Sequence, residues 1–536
     1  MISGVISLIS TNWKGIYNPQ TMPSTILYSF ASASILLLVG TLLWSCNVSN
    51  PSNNKDARLF FSVPFRFVMT YLVCCTLLML ISTYILSDKR DTAIPPISSM
   101  FDLFPGNFLS RLLISQIAFL LALSQLVFFN GFNKPRSYDN TNVGLARKNL
   151  DRVFLVVGLF ACLGLSVTGA VCDDDSGLQC QGSHVIHSIG AGLFFSTYTI
   201  NMIILSGRSS NNHTIQKGYR NKYCGVLLGL AIFSLFSKLR LIPAIIEMFK
   251  YKSEIVPTLF EWLDITAILI WTMLYFITET GDFQIQVRQQ TTITLERGTM
   301  TLSHFSASAA YVVVAVLLLL TLILSLVFVT IYSPTFISDT FQSKPGNMIS
   351  RFSIPLIATI STMIHVCIYY LDGMEAGNMG EMGRNLLLDK FILMLAQVSM
   401  VGFAVLGCSS QVESFELHQS GAGVFYFGYG FFSLLHCLRT FHVGQHKYRN
   451  SLFAVQLLLA ISSLTATILV AIAVPKYQQR PRPRPSTTTF VFEFYNIVAI
   501  FSYMGTCLYR HKYKQVQAVG ISVVHLGENE EDERLL

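Results

Sequence analysis

The sequence predicts an all-α protein: a polytopic transmembrane helical bundle of two parallel six-helix repeats plus one extra N-terminal span. Three observations carry this expectation. Of 536 residues, 52% are hydrophobic and only 12% charged, whereas an ordinary soluble domain carries about 25% charged residues. Apolar runs close to the ~20 residues that cross a hydrocarbon layer as a helix recur along the chain. Finally, three polar islands occur twice, in the same order, between similar apolar runs.

The first island runs from Ile97-Ser98-Ser99 to Pro105-Gly106-Asn107-Phe108-Leu109-Ser110-Arg111. It returns as Ile337-Ser338-Asp339 to Pro345-Gly346-Asn347-Met348-Ile349-Ser350-Arg351. The second, His187-Ser188-Ile189-Gly190-Ala191-Gly192, returns as His418-Gln419-Ser420-Gly421-Ala422-Gly423. The third, Phe260-Glu261-Trp262, returns as Phe492-Glu493-Phe494.

Taken in order, the first candidate span is Ile26–Cys46, outside the repeat and too long to read as a cleaved leader. The first repeat then has spans near Phe65–Leu86, Leu112–Phe132, Val153–Val171, Gly190–Ser206, Gly225–Ile246 and Glu261–Thr280. The second has Ala307–Tyr332, Phe352–Leu371, Phe391–Cys408, Gly421–Leu438, Leu452–Val474 and Val491–Tyr509. The expected division is an N-terminal segment 1–60, a first repeat 61–285, a second repeat 300–512 and an acidic tail 513–536.

An even number of spans per copy makes the repeats parallel, unlike the inverted repeats of many transporters. Connections 133–152, 208–222, 439–449 and 510–514 are rich in Lys and Arg, which assigns them to the cytosol. The acidic connection 372–390 and the three arginines of Arg480-Pro481-Arg482-Pro483-Arg484-Pro485 run against that pattern. The alternating prolines there favour a stiff, extended loop, with acidic lipid headgroups as a candidate ligand. All three islands then face the lumen, while the sequons at Asn47 and Asn212 fall on the cytosolic side, unused. The net charge of +8 is spread over short loops and reads as topology signal and headgroup anchoring rather than as a nucleic-acid surface. The tail ends Glu531-Asp532-Glu533-Arg534-Leu535-Leu536. An acidic residue four positions before a Leu-Leu pair is the pattern of adaptor-read endosomal sorting signals; a charged disordered tail is the alternative.

Each island has a structural and a sharper reading. Pro-Gly is a turn dipeptide, and Arg111 and Arg351 at a span mouth can snorkel to headgroups or pair with a carboxylate. Gly-Ala-Gly at a helix start lets backbones approach closely. His187 and His418 are rim histidines, either hydrogen-bonded or titrating in an acidic lumen. Glu261 and Glu493 suit a helix start as caps or ion-pair partners. Lys238 and Arg240 lie inside an apolar span of the first copy only; Glu261 and Asp264 are their natural partners, and a lipid-phosphate site there is the sharper option. The second copy carries Asn496 in place of Asp264. Gln125 and His365 occupy equivalent mid-span places suited to interhelical hydrogen bonds. Most of the eleven cysteines sit in apolar runs, but Cys172 and Cys180 share one polar loop and form a disulfide candidate.

Catalysis and cofactors are not expected. Ser338, Asp339, His418 and Glu493 fall on one face and superficially resemble a hydrolase set, yet no nucleophile elbow or phosphate-cradling loop accompanies them. One histidine and one glutamate per copy, with no CxxC pair, do not make a metal centre.

These motifs resemble the damage-regulated autophagy modulators, the DRAM group of a DRAM/FRAG/SFK-type superfamily. Ile337-Ser338-Asp339-Thr340 before a proline and a span is similar to that group's first lumenal loop. His-x-x-Gly-Ala and Phe-Glu resemble the starts of its fourth and sixth spans. The superfamily also includes a Golgi GPI-anchor lipid-remodelling factor, its partners related to a yeast cell-wall protein of the CWH type, and regulators of phosphoinositide kinase. This chain departs from the DRAM group in being a tandem, in lacking the first-loop Asp in its first copy, and in carrying Ser188 and Gln419 where an Asp often follows the histidine. The resemblance implies a non-enzymatic multipass endomembrane protein of late endosomes or lysosomes, regulating or scaffolding autophagy or lipid handling. Membrane lipids are the expected partners, with adaptor proteins expected from the Leu535-Leu536 tail motif rather than from the resemblance. Golgi, ER or plasma membrane are alternative locations. A lipid-remodelling factor or lipid transporter of the secretory pathway is the alternative role, and a lumenal lipid hydrolase the weakest.

Overall fold

The computed structural model describes residues 59–86, 95–102, 106–132, 142–172, 183–209, 222–238, 255–279, 283–289, 299–332, 346–377, 386–409, 414–443, 449–478, 487–512 and 519–526. The first candidate span, Pro105, Cys180, Arg240, Ser338, Asp339, Pro345, the Arg-Pro run and the Glu531–Leu536 motif lie outside the described residues.

The first repeat contains α1 (Phe65–Leu86), the single turn α2 (Ile97–Met100), α3 (Gly106–Phe132), α4 (Asn142–Ala170), α5 (His184–Ser209), α6 (222–238) and α7 (Ile255–Glu279). The second contains α8 (Ala307–Tyr332), α9 (Gly346–Gly377), α10 (Leu386–Cys408), α11 (Phe415–Val443), α12 (Arg449–Gln478) and α13 (Thr487–Lys512). Among the described residues, eleven of these helices are long and apolar enough to cross a membrane. Many of them keep large apolar side chains at their surface, such as Leu319, Leu458 and Ile472; a helix that spans lipid has no reason to hide that face. Their polar groups turn inward instead, with Thr83, Ser115, Ser124 and Thr362 returning their hydroxyls to the carbonyl one turn back. That local bond satisfies a hydroxyl where no water is available.

The helices correspond to the expected spans, but many begin earlier: α3, α5, α7, α9 and α11 each start about six residues before the predicted span, and α4 about eleven. For α11 the reason is a serine cap. Ser414 Oγ accepts from the Leu417 amide at 3.4 Å, and Ser183 Oγ from the Ile186 amide at 3.5 Å ahead of α5, satisfying first-turn donors that an apolar window does not register.

A four-stranded antiparallel sheet joins the repeats, which the sequence reading did not anticipate. Strand β1 (Leu59–Pro64) leads into the first repeat and β2 (Phe283–Gln289) leaves it; β3 (Thr299–Ser306) leads into the second and β4 (Val519–Leu526) leaves it. The order is β1-β2-β4-β3, so each repeat contributes an adjacent pair and the two exit strands meet at the centre. Gln286 lies opposite Ser522 there. Strands β2 and β3 thus flank the boundary between the expected repeats, and β4 lies in the expected acidic tail.

Candidate functional site

The islands meet at one end of the bundle, opposite the sheet. In the first repeat, both carboxylate oxygens of Glu261 accept from backbone amides at the start of α2, Ile97 at 3.1 Å and Ser98 at 3.2 Å. Trp262 Nε1 donates to the Pro95 carbonyl at 3.0 Å. The third island therefore caps the first, as a carboxylate beside a helix N-terminus should. Ser98 takes part through its backbone. Gly106 opens α3 because α2 lies directly against it: a Cβ there would run into the Met100 carbonyl.

The second island packs on helix α4 and its counterpart α10. Gly164 and Gly402 face Gly190 and Gly421, and a Cβ on either of the first two would come within 2.6 Å of a backbone nitrogen of the opposing helix. Gly192 and Gly423 have open space around them, so only the first glycine of each Gly-Ala-Gly serves the close crossing. His187 Nδ1 donates to the Val171 carbonyl at 2.7 Å and His418 Nδ1 to the Ser409 carbonyl at 2.7 Å. Both rings are buried. These are matching positions, so each histidine seals the carboxyl end of the preceding helix.

Arg111 ties the two halves together. It is fully buried; Nη1 donates to the Cys408 carbonyl at the end of α10 in the other repeat at 3.0 Å, and Nη2 reaches Cys172 Sγ at 3.1 Å. A guanidinium at a helix C-terminus meets both the free carbonyls and the negative end of the dipole. Cys172 is disulfide-bonded, with its partner outside the described residues. Arg351, in the matching place, is also buried. Ser110 and Ser350 each donate to the carbonyl of the asparagine three residues earlier, both at 3.0 Å.

The charged residues of the first repeat separate into two groups. Lys238 Nζ lies 3.3 Å from Asp264 Oδ2 and donates to Ser234 Oγ at 2.9 Å and to Thr199 Oγ1, while Ser234 donates to Asp264. An ammonium has three donors, and three acceptors surround this one. Glu261, expected as a further partner, is engaged at α2 instead. In the second repeat Ser463 donates to Asn496 Oδ1 at 2.5 Å and Asn496 Nδ2 to Thr467 Oγ1 at 2.8 Å. The same three positions thus hold either a Lys–Asp pair with serine between or a neutral Thr–Asn–Ser set.

At the other end, the second repeat holds groups that sequence reasoning missed. His436 Nε2 lies 2.6 Å from Asp372 Oδ2, and its Nδ1 lies 2.8 Å from the Tyr503 hydroxyl; Arg510 also pairs with Asp372. Arg439 binds Asp389 at 2.8 Å, and Asp151 is buried at the equivalent place in α4. Leu205 and Trp271 stand where His436 and Tyr503 would be in the first repeat, and Trp271 stacks on Tyr275 at 4.7 Å. Mid-span, His365 Nε2 accepts from Tyr429 at 3.1 Å, and Gln125 accepts from Asn201 at 3.0 Å, as interhelical bonds were expected to do. Glu493 and Asn107 are buried. No group of three or more His, Cys, Asp or Glu able to hold a metal occurs among the described residues.

Among the described residues, twelve long helices in two matching sets, most of them of membrane-spanning length and with their repeated polar motifs at one end, define a tandem-repeat multipass membrane protein. The family profile described as the Frag1/DRAM/Sfk1/Cwh43P N-terminal domain matches twice, over residues 59–286 and 302–509, and the chain belongs to this family as a tandem duplication. No curated protein and no solved structure matches it.

Proposed function

We propose that this protein is a non-enzymatic regulator or scaffold of endomembranes, acting in autophagy or lipid handling at late endosomes and lysosomes, with the island face toward the lumen. The observation that carries this reading is that the repeats are joined at both ends, by β2–β4 pairing on one face and by Arg111 to Cys408 on the other. A transporter that rocks one half against the other must open each face in turn, and two ties oppose that motion. Of the groups a hydrolase could use, His418 and its counterpart His187 hold backbone carbonyls through Nδ1, and Glu261, the counterpart of Glu493, holds backbone amides. Three filled acceptor positions around Lys238 favour internal neutralisation over a lipid-phosphate site there. The tail motif Glu531–Leu536 is proposed as the adaptor-read address.

Cells lacking the protein test the reading. The tagged protein is expected on late endosomes and lysosomes, and its loss is expected to change autophagic turnover, restored by wild type. A tagged protein confined to the Golgi or plasma membrane, with unchanged turnover, contradicts it.

A further inference from the structure

We infer that the start of helix α9, around Asn347, is a binding site for a phosphate group carried beside a hydroxyl. Asn347 is completely buried, and neither its Oδ1 nor its Nδ2 has a hydrogen-bond partner. A buried amide with both ends unpaired is rare in folded proteins and calls for a group that supplies a donor and an acceptor together. The position is not an accident of one loop, because the Pro-Gly-Asn-x-x-Ser-Arg pattern recurs at α3 with Asn107 equally buried.

What surrounds Asn347 identifies the ligand class. Asn347, Arg351 and Ile354 lie at i, i+4 and i+7, on one face of α9. That face packs on the end of α10, since a Cβ on Gly407 would meet Ile354 at 2.5 Å. The next residue, Cys408, gives its carbonyl to Arg111 of the other repeat. Arg351, one turn further along the same face, and the first turn of a 32-residue helix therefore share this corner. Helix N-termini present unpaired amides and a positive potential, and arginine matches phosphate oxygens geometrically. Phosphate oxygens would accept from the Asn347 amide nitrogen, and a neighbouring hydroxyl would donate to its oxygen. Such a group comes either from a lipid headgroup or from a free phosphate compound. The inference rests on reading the island face as the shared working surface, but not on any role in autophagy.

The full-length protein in detergent, followed by thermal unfolding, tests this. Inorganic phosphate, inositol 1-phosphate and dioctanoyl phosphatidylinositol are titrated in turn, with myo-inositol and chloride as controls. We expect a saturable rise in the unfolding midpoint with at least one phosphate compound and none with the controls. A rise with the lipid alone assigns a headgroup; a rise with inorganic phosphate assigns a free anion. Asn347→Leu, which replaces the unpaired amide by an apolar side chain of similar size, should fold and lose the rise. Should it fail to fold, Asn347→Asp keeps the shape and repels phosphate, and should lose it equally. Absence of any rise with all three compounds, or a wild-type rise retained in the variant that folds, overturns the inference.

Discussion

Arg111 of the first repeat donates to the Cys408 carbonyl of the second at 3.0 Å, a bond between residues far apart in sequence that closes the island end of the molecule. Its removal takes a charged donor away from a buried helix-end carbonyl. Charge-assisted hydrogen bonds contribute about 1.5–3 kcal/mol, so Arg111→Ala should lower stability by about that amount or more. Arg111→Lys should recover only part, because one ammonium cannot reach both Cys408 and Cys172. Thermal unfolding in detergent measures both.

The Lys238–Asp264 pair gives a sharper test, because the second repeat shows its neutral counterpart. Lys238→Thr alone strands a buried carboxylate and should cost about 3–5 kcal/mol. Lys238→Thr with Asp264→Asn reproduces the Thr467–Asn496 pairing and should restore most of the loss. A double variant as unstable as the single one contradicts the equivalence of the two sites.

Glycine substitutions should divide by position. Gly164→Ala and Gly402→Ala push a methyl against opposing backbone and should each cost about 1–3 kcal/mol, the range for overpacking. Gly192→Ala and Gly423→Ala meet nothing within 4 Å and should be neutral or slightly stabilising, since alanine is the better helix former. Equal effects at all four would refute the crossing geometry.

Truncations separate folding from sorting. Deletion after Lys512 removes β4, the strand that pairs with both β2 and β3, and should destabilise the whole protein. Deletion after Leu526 leaves the sheet intact while removing Glu531, Leu535 and Leu536, and should alter localisation without altering the unfolding midpoint. The same localisation change is expected of Leu535→Ala with Leu536→Ala. Imaging beside thermal unfolding distinguishes the two effects.

The duplication, the helices and the gathering of islands were legible because each is local: a run of apolar residues or a short motif repeated in order. The sheet was legible only in part. Phe283, Ile285 and Val287 alternate, as do Val519, Ile521 and Val523, which is the period of a strand, but β2 finds β4 across more than two hundred residues and no local signal names that partner. The same limit hid Asp372 with His436 and Asp389 with Arg439, each joining separate helices. Glu261 was expected at the start of its own helix, but α7 begins at Ile255 and the helix Glu261 caps is α2. Lys238 chose Asp264 over Glu261 because Ser234 and Thr199 hold it there, a geometry that spacing along a single helix does not contain.

The central claim is that the two repeats stand side by side in one orientation, islands at one face and sheet at the other. Single cysteines at Ser183, Ser414, Gln289 and Val519, in a background lacking the exposed Cys74, test it through labelling by a membrane-impermeant thiol reagent in sealed vesicles of each orientation. Ser183 and Ser414 should label from one side, and Gln289 and Val519 from the other. Labelling of Ser183 and Ser414 from opposite sides would contradict the account.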